Sequence, residues 1–163
     1  MDLLTPELRA ALRANADAQA STAARADHGE REPDPAPVVK YFSPVGAATW
    51  LATELDADGD TLFGLADLGF GCPELGYFSL AEIEALRLPF GLTVERDLHF
   101  ASSNPLSVWA DAARSAGSIL WAAQLLGRTD PQTPEAAANG GAPRASRKSF
   151  APDQLPPPKE GGG

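Results

Sequence analysis

The sequence predicts a small α+β domain, in which a mostly antiparallel sheet of about four strands packs with three to four helices, followed by a disordered C-terminal tail. Short β-branched or aromatic runs alternate with apolar stripes of helical spacing, which indicates both element types. An Asp/Gly-rich loop joins two of the apolar runs, as in a β-hairpin. Residues 128–163 hold seven Pro and five Gly and too few large apolar side chains for a core, so the predicted domain is residues 1–127.

The first predicted element is a helix near the start of the chain. Thr5 has the residue type of an N-cap, and Pro6 suits the first helical position. Leu4, Leu8 and Leu12 then recur at helical spacing. We therefore expect this helix to bury one apolar face against the domain.

An acidic, proline-rich linker over residues 27–37 leads to the predicted sheet. Strands are predicted over residues 38–43, 49–56 and 61–68, because these runs are apolar or β-branched and are bounded by turn residues. The last two form the predicted hairpin. The glycines and proline of residues 69–76 are expected to break regular structure.

The clearest local helix signal begins at Ser79, which forms a capping box with Glu82. This helix must stop near Leu88, because Pro89 disfavours the helical conformation of the residue before it. Residues 93–100 then have the alternation of a strand.

Two further helices are predicted after that strand. Asn104 and Pro105 cap the first, Trp109 lies on its apolar face, and Gly117 ends it. Residues 118–126 form the second, which is short and very apolar. Such a helix must pack into the core or contact a protein partner or a second copy of the chain. Its candidate contact residues are Ile119, Leu120, Trp121, Leu125 and Leu126.

Composition excludes several classes of function. The formal net charge of −9 disfavours direct binding to nucleic acid or to an anionic membrane. A single cysteine, Cys72, allows neither an intrachain disulfide nor a cysteine-rich zinc site and fits a reducing compartment. The chain shows no signal peptide and no apolar run long enough to span a bilayer, so a cytoplasmic location is expected.

The strand with the sequence ERDLHF is the strongest candidate for chemistry. Alternation places Glu95, Asp97 and His99 on one face. It places Val94, Arg96, Leu98 and Phe100 on the other. Two carboxylates and an imidazole could bind a divalent metal that activates water for phosphoester hydrolysis, with Asp67 as a further ligand. The same alternation is typical of any solvent-facing strand, so a metal site and an ordinary solvated strand both remain as interpretations. We expect no cofactor other than a divalent metal.

Acidic residues are concentrated between positions 41 and 86, a stretch that contains no Lys or Arg. Such a surface could attract a basic protein partner, imitate the phosphates of DNA, or serve only to keep the protein soluble. The acidic residues concerned are Glu54, Asp56, Asp58, Asp60, Asp67 and Glu74.

Several long segments, in order, resemble a bacterial family known as domain of unknown function 2958. These segments are LLTPELRAALRAN, PVVKYFSP, ATWLATELD, LFGLADLGFGCPELGYFSLAEIEAL and GLTVERDLHF, and they cover roughly residues 3–114. The resemblance implies no catalytic residues, but it implies an accessory protein of bacterial genomes, plasmids and other mobile elements. The polar residues that fall within the resembling segments are Glu54, Asp56, Asp67, Glu74, Tyr77, Glu95, Arg96, Asp97 and His99.

The leading hypothesis is a non-enzymatic protein-interaction module with an acidic face, because no catalytic motif is present. One alternative is a metal-dependent hydrolase acting on nucleic acid or a phosphoester. It requires Asp67, Glu95, Asp97 and His99 to converge. The other alternative is a DNA-mimicking inhibitor, which requires an unbroken acidic face.

Overall fold

A five-stranded antiparallel sheet forms the centre of the protein, which the computed structural model describes over residues 1–25, 29 and 31–127. The order of its strands is β4-β3-β2-β1-β5. The strands are β1 (Val39–Phe42), β2 (Thr49–Leu55), β3 (Thr61–Asp67), β4 (Glu74–Ser79) and β5 (Glu95–Arg96). The helices are α1 (Pro6–Ala23), α2 (Leu80–Ala85), α3 (Leu106–Ala116) and α4 (Ile119–Gly127). The α+β prediction is confirmed, and the predicted disordered tail lies outside the described residues.

Apolar side chains cover both faces of the sheet, because successive residues of a strand point to opposite sides. On what we call the first face, Trp50 and Ala52 pack in one cluster with Leu12 of α1 and Ile83 of α2. On the second face, strand residues pack with α3 and α4. The buried members of this second cluster are Leu51, Leu65, Leu106, Trp109, Ala110, Ala113, Ile119 and Ala122.

Helix α1 covers the edge of β2 beyond Val39, the first residue of β1. The register of β1 and β2 reaches Ala52, and a bulge follows at Thr53. Beyond this point, Arg13 Nη1 donates to the carbonyl of Leu55 at 2.8 Å. Asn15 Nδ2 donates to the carbonyl of Thr53, also at 2.8 Å. Side chains of α1 thus replace a neighbouring strand, which brings the second half of this helix beside the end of β2.

Two of the three predicted N-terminal caps are confirmed. The third is wrong for Asn104, because the N-cap of α3 is Pro105, without a side-chain hydrogen bond. The first N–H groups of α3 donate instead to the carbonyl of Pro35 and the carboxylate of Asp34. The hydroxyls of Thr5 and Ser79 each accept a hydrogen bond from the N–H three residues later. Helix α2 nevertheless ends at Ala85, before the predicted stop near Leu88. The reason is that the N–H of Leu88 donates outside the helix, to the carbonyl of Leu92 at 2.9 Å.

The predicted break over residues 69–76 is wrong for its second half, where β4 begins at Glu74. Gly69 and Gly71 do form a turn, with φ angles of +90° and +80° that favour glycine. Gly76, however, lies inside β4 opposite Gly64 of β3. Pairing with β3 therefore outweighs the low strand propensity of glycine.

The predicted last strand shrinks to the two residues of β5, Glu95–Arg96. The chain turns at Asp97, whose carbonyl accepts a hydrogen bond from the N–H of Phe100. Phe100 then crosses to the second face and packs against Trp109, with ring centroids 6.1 Å apart. The expected common face of Val94 and Phe100 is therefore wrong, because Val94 belongs to the first cluster.

Candidate functional site

The structure divides the predicted polar residues among four places. One group lines a cavity beside α1, which we call the α1 cavity, and another lines a cavity beside β5, which we call the β5 cavity. Asp67 is completely buried, and Glu74 is exposed at the start of β4. The members of the α1 cavity are Glu54, Asp56 and Tyr77, and those of the β5 cavity are Glu95, Arg96, Asp97 and His99.

The α1 cavity has a volume of about 230 Å³ and lies between α1 and the ends of β2, β3 and β4. Strand register places Glu54, Phe63 and Tyr77 in one row across these strands. The rings of Phe63 and Tyr77 lie 5.1 Å apart and are tilted by 55°. The described residues that line it are Ala16, Gln19, Ala20, Ala23, Glu54, Asp56, Thr61, Phe63 and Tyr77.

Among the described residues, two carboxylates and no basic side chain line the α1 cavity. Glu54 is half-buried, and this burial raises the pKa of its carboxyl group because desolvation penalises the charged form. Asp56 is exposed, and its Oδ1 accepts a hydrogen bond from the N–H of Ala57 at 2.7 Å. Gln19 Oε1 is buried without a hydrogen-bond donor in the described part of the chain. The cavity therefore combines negative charge with aromatic walls, while Gln19 Oε1 is closed to solvent.

The β5 cavity is larger, with a volume of about 360 Å³, but its charges are partly neutralised. Lys40 Nζ lies 3.3 Å from Asp97 Oδ2 and forms an ion pair with it. Asp97 Oδ1 accepts a hydrogen bond from the N–H of His99 at 3.0 Å. Both carboxylate oxygens of Asp97 are therefore engaged in holding the turn after β5.

The predicted metal ligands do not converge. Within residues 1–25, 29 and 31–127, no three His, Cys, Asp or Glu side chains are grouped so that they could hold a metal ion. Asp67 accepts hydrogen bonds from the N–H of Gly69 and the N–H of Ile119, each at 2.9 Å. It therefore anchors the first residue of α4 to the end of β3.

Arg96 is half-buried and lies opposite Tyr41 in the pairing of β1 with β5. Arg96 Nη1 and the hydroxyl of Tyr41 are both buried without a hydrogen-bond partner among the described residues. Burial also raises the pKa of Tyr41. Arg96 is thus partly a core residue rather than a freely accessible polar group.

The most exposed apolar segment of the sheet runs through the turn before β4 and along β4 itself. In the turn, Leu68 and Phe70 are 58% and 84% exposed. In β4, Leu75 and Tyr77 are 39% and 75% exposed. No further strand pairs with the outer edge of β4 in the part of the chain described. Sequence reasoning missed this edge because it assigned the segment to a loop, although Leu75 and Tyr77 have the spacing of two that is typical of one strand face.

The predicted contact residues of α4 fall into two groups. Ile119 is completely buried, and Leu126 packs against the second cluster, so these two belong to the core. Leu120, Trp121 and Leu125 are 41%, 61% and 48% exposed. The short apolar helix is therefore both a core element and an exposed apolar surface.

No helix of the described residues combines the length and the apolar character that a bilayer span requires.

Comparison with known proteins gives one match. The sequence model of a family described as "Protein of unknown function (DUF2958)" matches residues 3–120. No curated protein and no solved structure matches the chain.

Proposed function

The chain belongs to the DUF2958 family of proteins of unknown function, and from this premise we propose that it is a non-enzymatic interaction module that binds a partner polypeptide along the open edge of β4. The observation that carries the proposal is the outer edge of this six-residue strand, with which no strand among the described residues pairs and which is flanked by exposed apolar side chains. Main-chain N–H and C=O groups at such an edge are a template for an added strand.

The composition of the edge supports recognition rather than protection. Proteins commonly protect an exposed edge with lysine, with proline inside the strand, or with a covering element. β4 contains neither residue, and its one charge is Glu74 at the first position. Leu75 and Tyr77, together with Phe70 in the preceding turn, give an added strand apolar surface to bury.

Charge supports a basic partner over a second copy of the chain. Each chain carries a net charge of −9, so two copies repel each other at low salt. Glu74 lies on the edge itself, while Glu54 and Asp56 line the neighbouring α1 cavity. A partner segment with basic side chains would experience attraction where a second copy would not.

Two other interpretations of the sequence receive less support. The hydrolase needs ligand convergence that the described residues lack. The DNA mimic needs an unbroken acidic face, yet Arg9 and Arg13 of α1 donate to main-chain carbonyls of the acidic hairpin. Asp60 is also occupied, because its carboxylate accepts hydrogen bonds from the Ser79 hydroxyl and from the N–H of Ala81, both at 2.7 Å. The cytoplasmic location, the link to bacterial mobile elements and a homodimer through residues 118–126 stay predictions.

Site-specific photo-crosslinking tests the proposal. Phe70 is replaced by p-benzoylphenylalanine in cells in which the protein occurs naturally, and the matched control carries the same residue in place of Phe90, which is 92% exposed. We expect a discrete adduct from position 70, absent from position 90, that maps to one segment of one partner. The substitution Leu75→Lys should weaken this adduct because it places a charge on the edge.

The companion variant Val108→Lys controls for added charge, since Val108 of α3 is 38% exposed and Leu75 is 39% exposed. It should leave the adduct unchanged. Circular dichroism establishes that both lysine variants are folded. Equal adducts from positions 70 and 90, no adduct from position 70, or an adduct that survives Leu75→Lys would each refute strand addition at β4.

A further inference from the structure

The chain contains a segment of its own with the charge expected of a β4 partner. This segment, residues 144–151 with the sequence RASRKSFA, lies outside the described residues, and we call it the basic segment. Arg144, Arg147 and Lys148 give it three positive charges, and it contains no acidic residue. Nowhere else in the chain do three basic residues lie within five positions. The basic segment is therefore complementary in charge to the acidic remainder of the protein.

The basic segment is also the longest run without proline or glycine between residues 128 and 163. Pro143 precedes it and Pro152 follows it. Proline lacks the N–H group that a strand ladder needs, and glycine has a low strand propensity. The eight residues of the segment are enough to pair along the whole of β4, which has six. Of the residues that follow α4, this run is thus the one best suited to strand addition.

The edge of β4 offers the basic segment both charge and apolar surface. Glu74, the first residue of the strand, is exposed, and β4 contains no basic residue that would repel the segment. Leu75 and Tyr77 are 39% and 75% exposed, so Phe150 of an added strand would have apolar surface to cover. A segment without a core of its own becomes ordered when it gains such contacts.

The length of the chain allows the basic segment to reach β4. Helix α4 ends at Gly127. Its Leu126 packs against the second cluster, as does Phe63 of β3, the strand next to β4. The sixteen residues 128–143 that follow span up to roughly 50 Å when extended, well beyond the radius of gyration of about 14 Å that is typical of a domain of this size. A tethered segment is also present at a high effective concentration, which favours even a weak contact.

We infer that the basic segment binds in cis along the outer edge of β4 and competes there with the partner polypeptide. The partner then displaces this segment instead of joining an empty edge, so the chain regulates its own binding site. The competition rests on the proposed function, whereas the binding of the segment is measurable on the protein alone. The alternative occupant is the basic segment of a second copy of the chain.

Paramagnetic relaxation in the full chain tests where the basic segment lies. Cys72 is the one cysteine of the chain, is exposed and lies two residues before β4, so a nitroxide attached to its thiol reports on this edge. We expect the amide NMR signals of residues 144–151 to lose more intensity than those of residues 136–142. Without binding, the loss would instead decline steadily along the chain from α4.

A triple serine variant tests the role of charge in this contact. Replacing Arg144, Arg147 and Lys148 with serine should abolish the extra loss of intensity, because the main chain stays but the attraction is removed. The control combines Arg128→Ser with Lys159→Ser, which removes positive charge outside the basic segment. It should leave the extra loss in place.

A second label position tests whether the contact is specific to β4. The nitroxide is moved to Leu98→Cys in a Cys72→Ser background. Leu98 is 62% exposed and follows β5, at the opposite edge of the sheet and about 19 Å away across four strand spacings. From there, residues 144–151 should show no extra loss.

A mixing experiment separates binding in cis from binding to a second copy. Isotope-labelled Cys72→Ser protein is mixed with unlabelled protein that carries the nitroxide on Cys72. Extra loss at residues 144–151 of the isotope-labelled chain would assign the contact to a second copy and overturn binding in cis. The inference is also overturned if the singly labelled chain shows no extra loss, or if the triple serine variant keeps it.

Crosslinking from position 70 distinguishes the failure of this inference from that of the proposed function. The triple serine variant should increase the partner adduct, because the competing segment is weakened, and an unchanged adduct would refute competition. If residues 144–151 bind but no partner adduct forms, the cis contact stands and partner recognition along β4 is refuted. If the adduct forms but the extra loss is absent, strand addition by a partner stands and this inference fails.

Discussion

Replacing Asp67 with alanine should release α4 from the sheet. The carboxylate of Asp67 is completely buried and joins β3 to the first residue of α4 through the N–H of Ile119. The N-terminal N–H groups of a helix have no partner within the helix, so this side chain acts as a cap supplied from a distant strand. The methyl group of the variant would offer no acceptor, and the N–H of Ile119 would stay buried.

The size of the effect follows from the bonds that are lost. Asp67 accepts one hydrogen bond from Gly69 and one from Ile119. Each bond to a charged group contributes about 1.5–3 kcal/mol. The expected loss in the free energy of unfolding is therefore about 3–6 kcal/mol, a large part of the ~5–15 kcal/mol that folded domains usually have.

Urea unfolding followed by circular dichroism measures this loss. Asp111→Ala is the matched control, because Asp111 is 83% exposed and lies 4.0 Å from its ion-pair partner Arg114. It should change the free energy of unfolding by less than about 0.5 kcal/mol. If Asp67→Ala lies within about 1 kcal/mol of the wild type, the buried carboxylate does not hold α4 in the way argued.

Two further substitutions test the sheet and the α1 cavity. Gly64→Ala should lower the free energy of unfolding by about 3 kcal/mol or more. The reason is that the added Cβ would lie 2.8 Å from the Leu51 carbonyl carbon and 2.9 Å from Ala52 Cα. An unchanged midpoint of urea unfolding would contradict the close approach of β2 and β3 at this position. Glu54→Gln should raise thermal stability at neutral pH. Burial raises the pKa of the Glu54 carboxyl group in the folded state, so the folded wild type binds a proton there more tightly than the unfolded chain does. The wild type therefore loses stability as pH rises through this pKa, whereas the uncharged amide of the variant does not. The advantage of the variant, about 0.5 kcal/mol or less after solvent screening, should shrink on acidification below that pKa, and an advantage that grows on acidification would refute the assignment.

Local signals in the sequence predicted most of the helices and the hairpin. Thr5 and Ser79 form the expected caps, and Gly117 ends α3 with a φ of +82°. These features depend on residues within one turn of each other, so the sequence contains all the information needed. The hairpin of β2 and β3 likewise closes over a short loop, in which Asp58 accepts hydrogen bonds from the main-chain N–H groups of Asp60 and Thr61.

Features that depend on distant contacts were not predictable in the same way. Gly76 indicated a break in regular structure, yet it lies within β4, because β4 pairs with β3 along this stretch and Gly76 is opposite Gly64. Alternation near residues 95–100 indicated a long strand, but the side chain and carbonyl of Asp97 close a turn after Arg96. Sequence spacing gives periodicity but does not show which strand or turn will compete for the same residues.

The residues of the candidate site likewise divide into those that the sequence indicated and those that depend on distant contacts. Glu54, Asp56 and Tyr77 were selected as polar members of the resembling segments, and the structure brings them to one cavity. Gln19 was missed, because nothing in an alanine-rich helix shows that its amide will be buried without a donor. Asp67 was selected for its charge, although the charge is used to anchor α4.

The separation of the two apolar clusters by the sheet has an evolutionary consequence. Trp50 and Leu51 are neighbours in the chain, yet one packs with α1 and α2 and the other with α3 and α4. Substitutions that share no contacts have nearly additive effects on stability. The two helical layers can therefore accumulate changes independently. A lineage could remodel the exposed side of α4 for a new partner while the apolar residues of α1 and α2 on the first face keep their sequence.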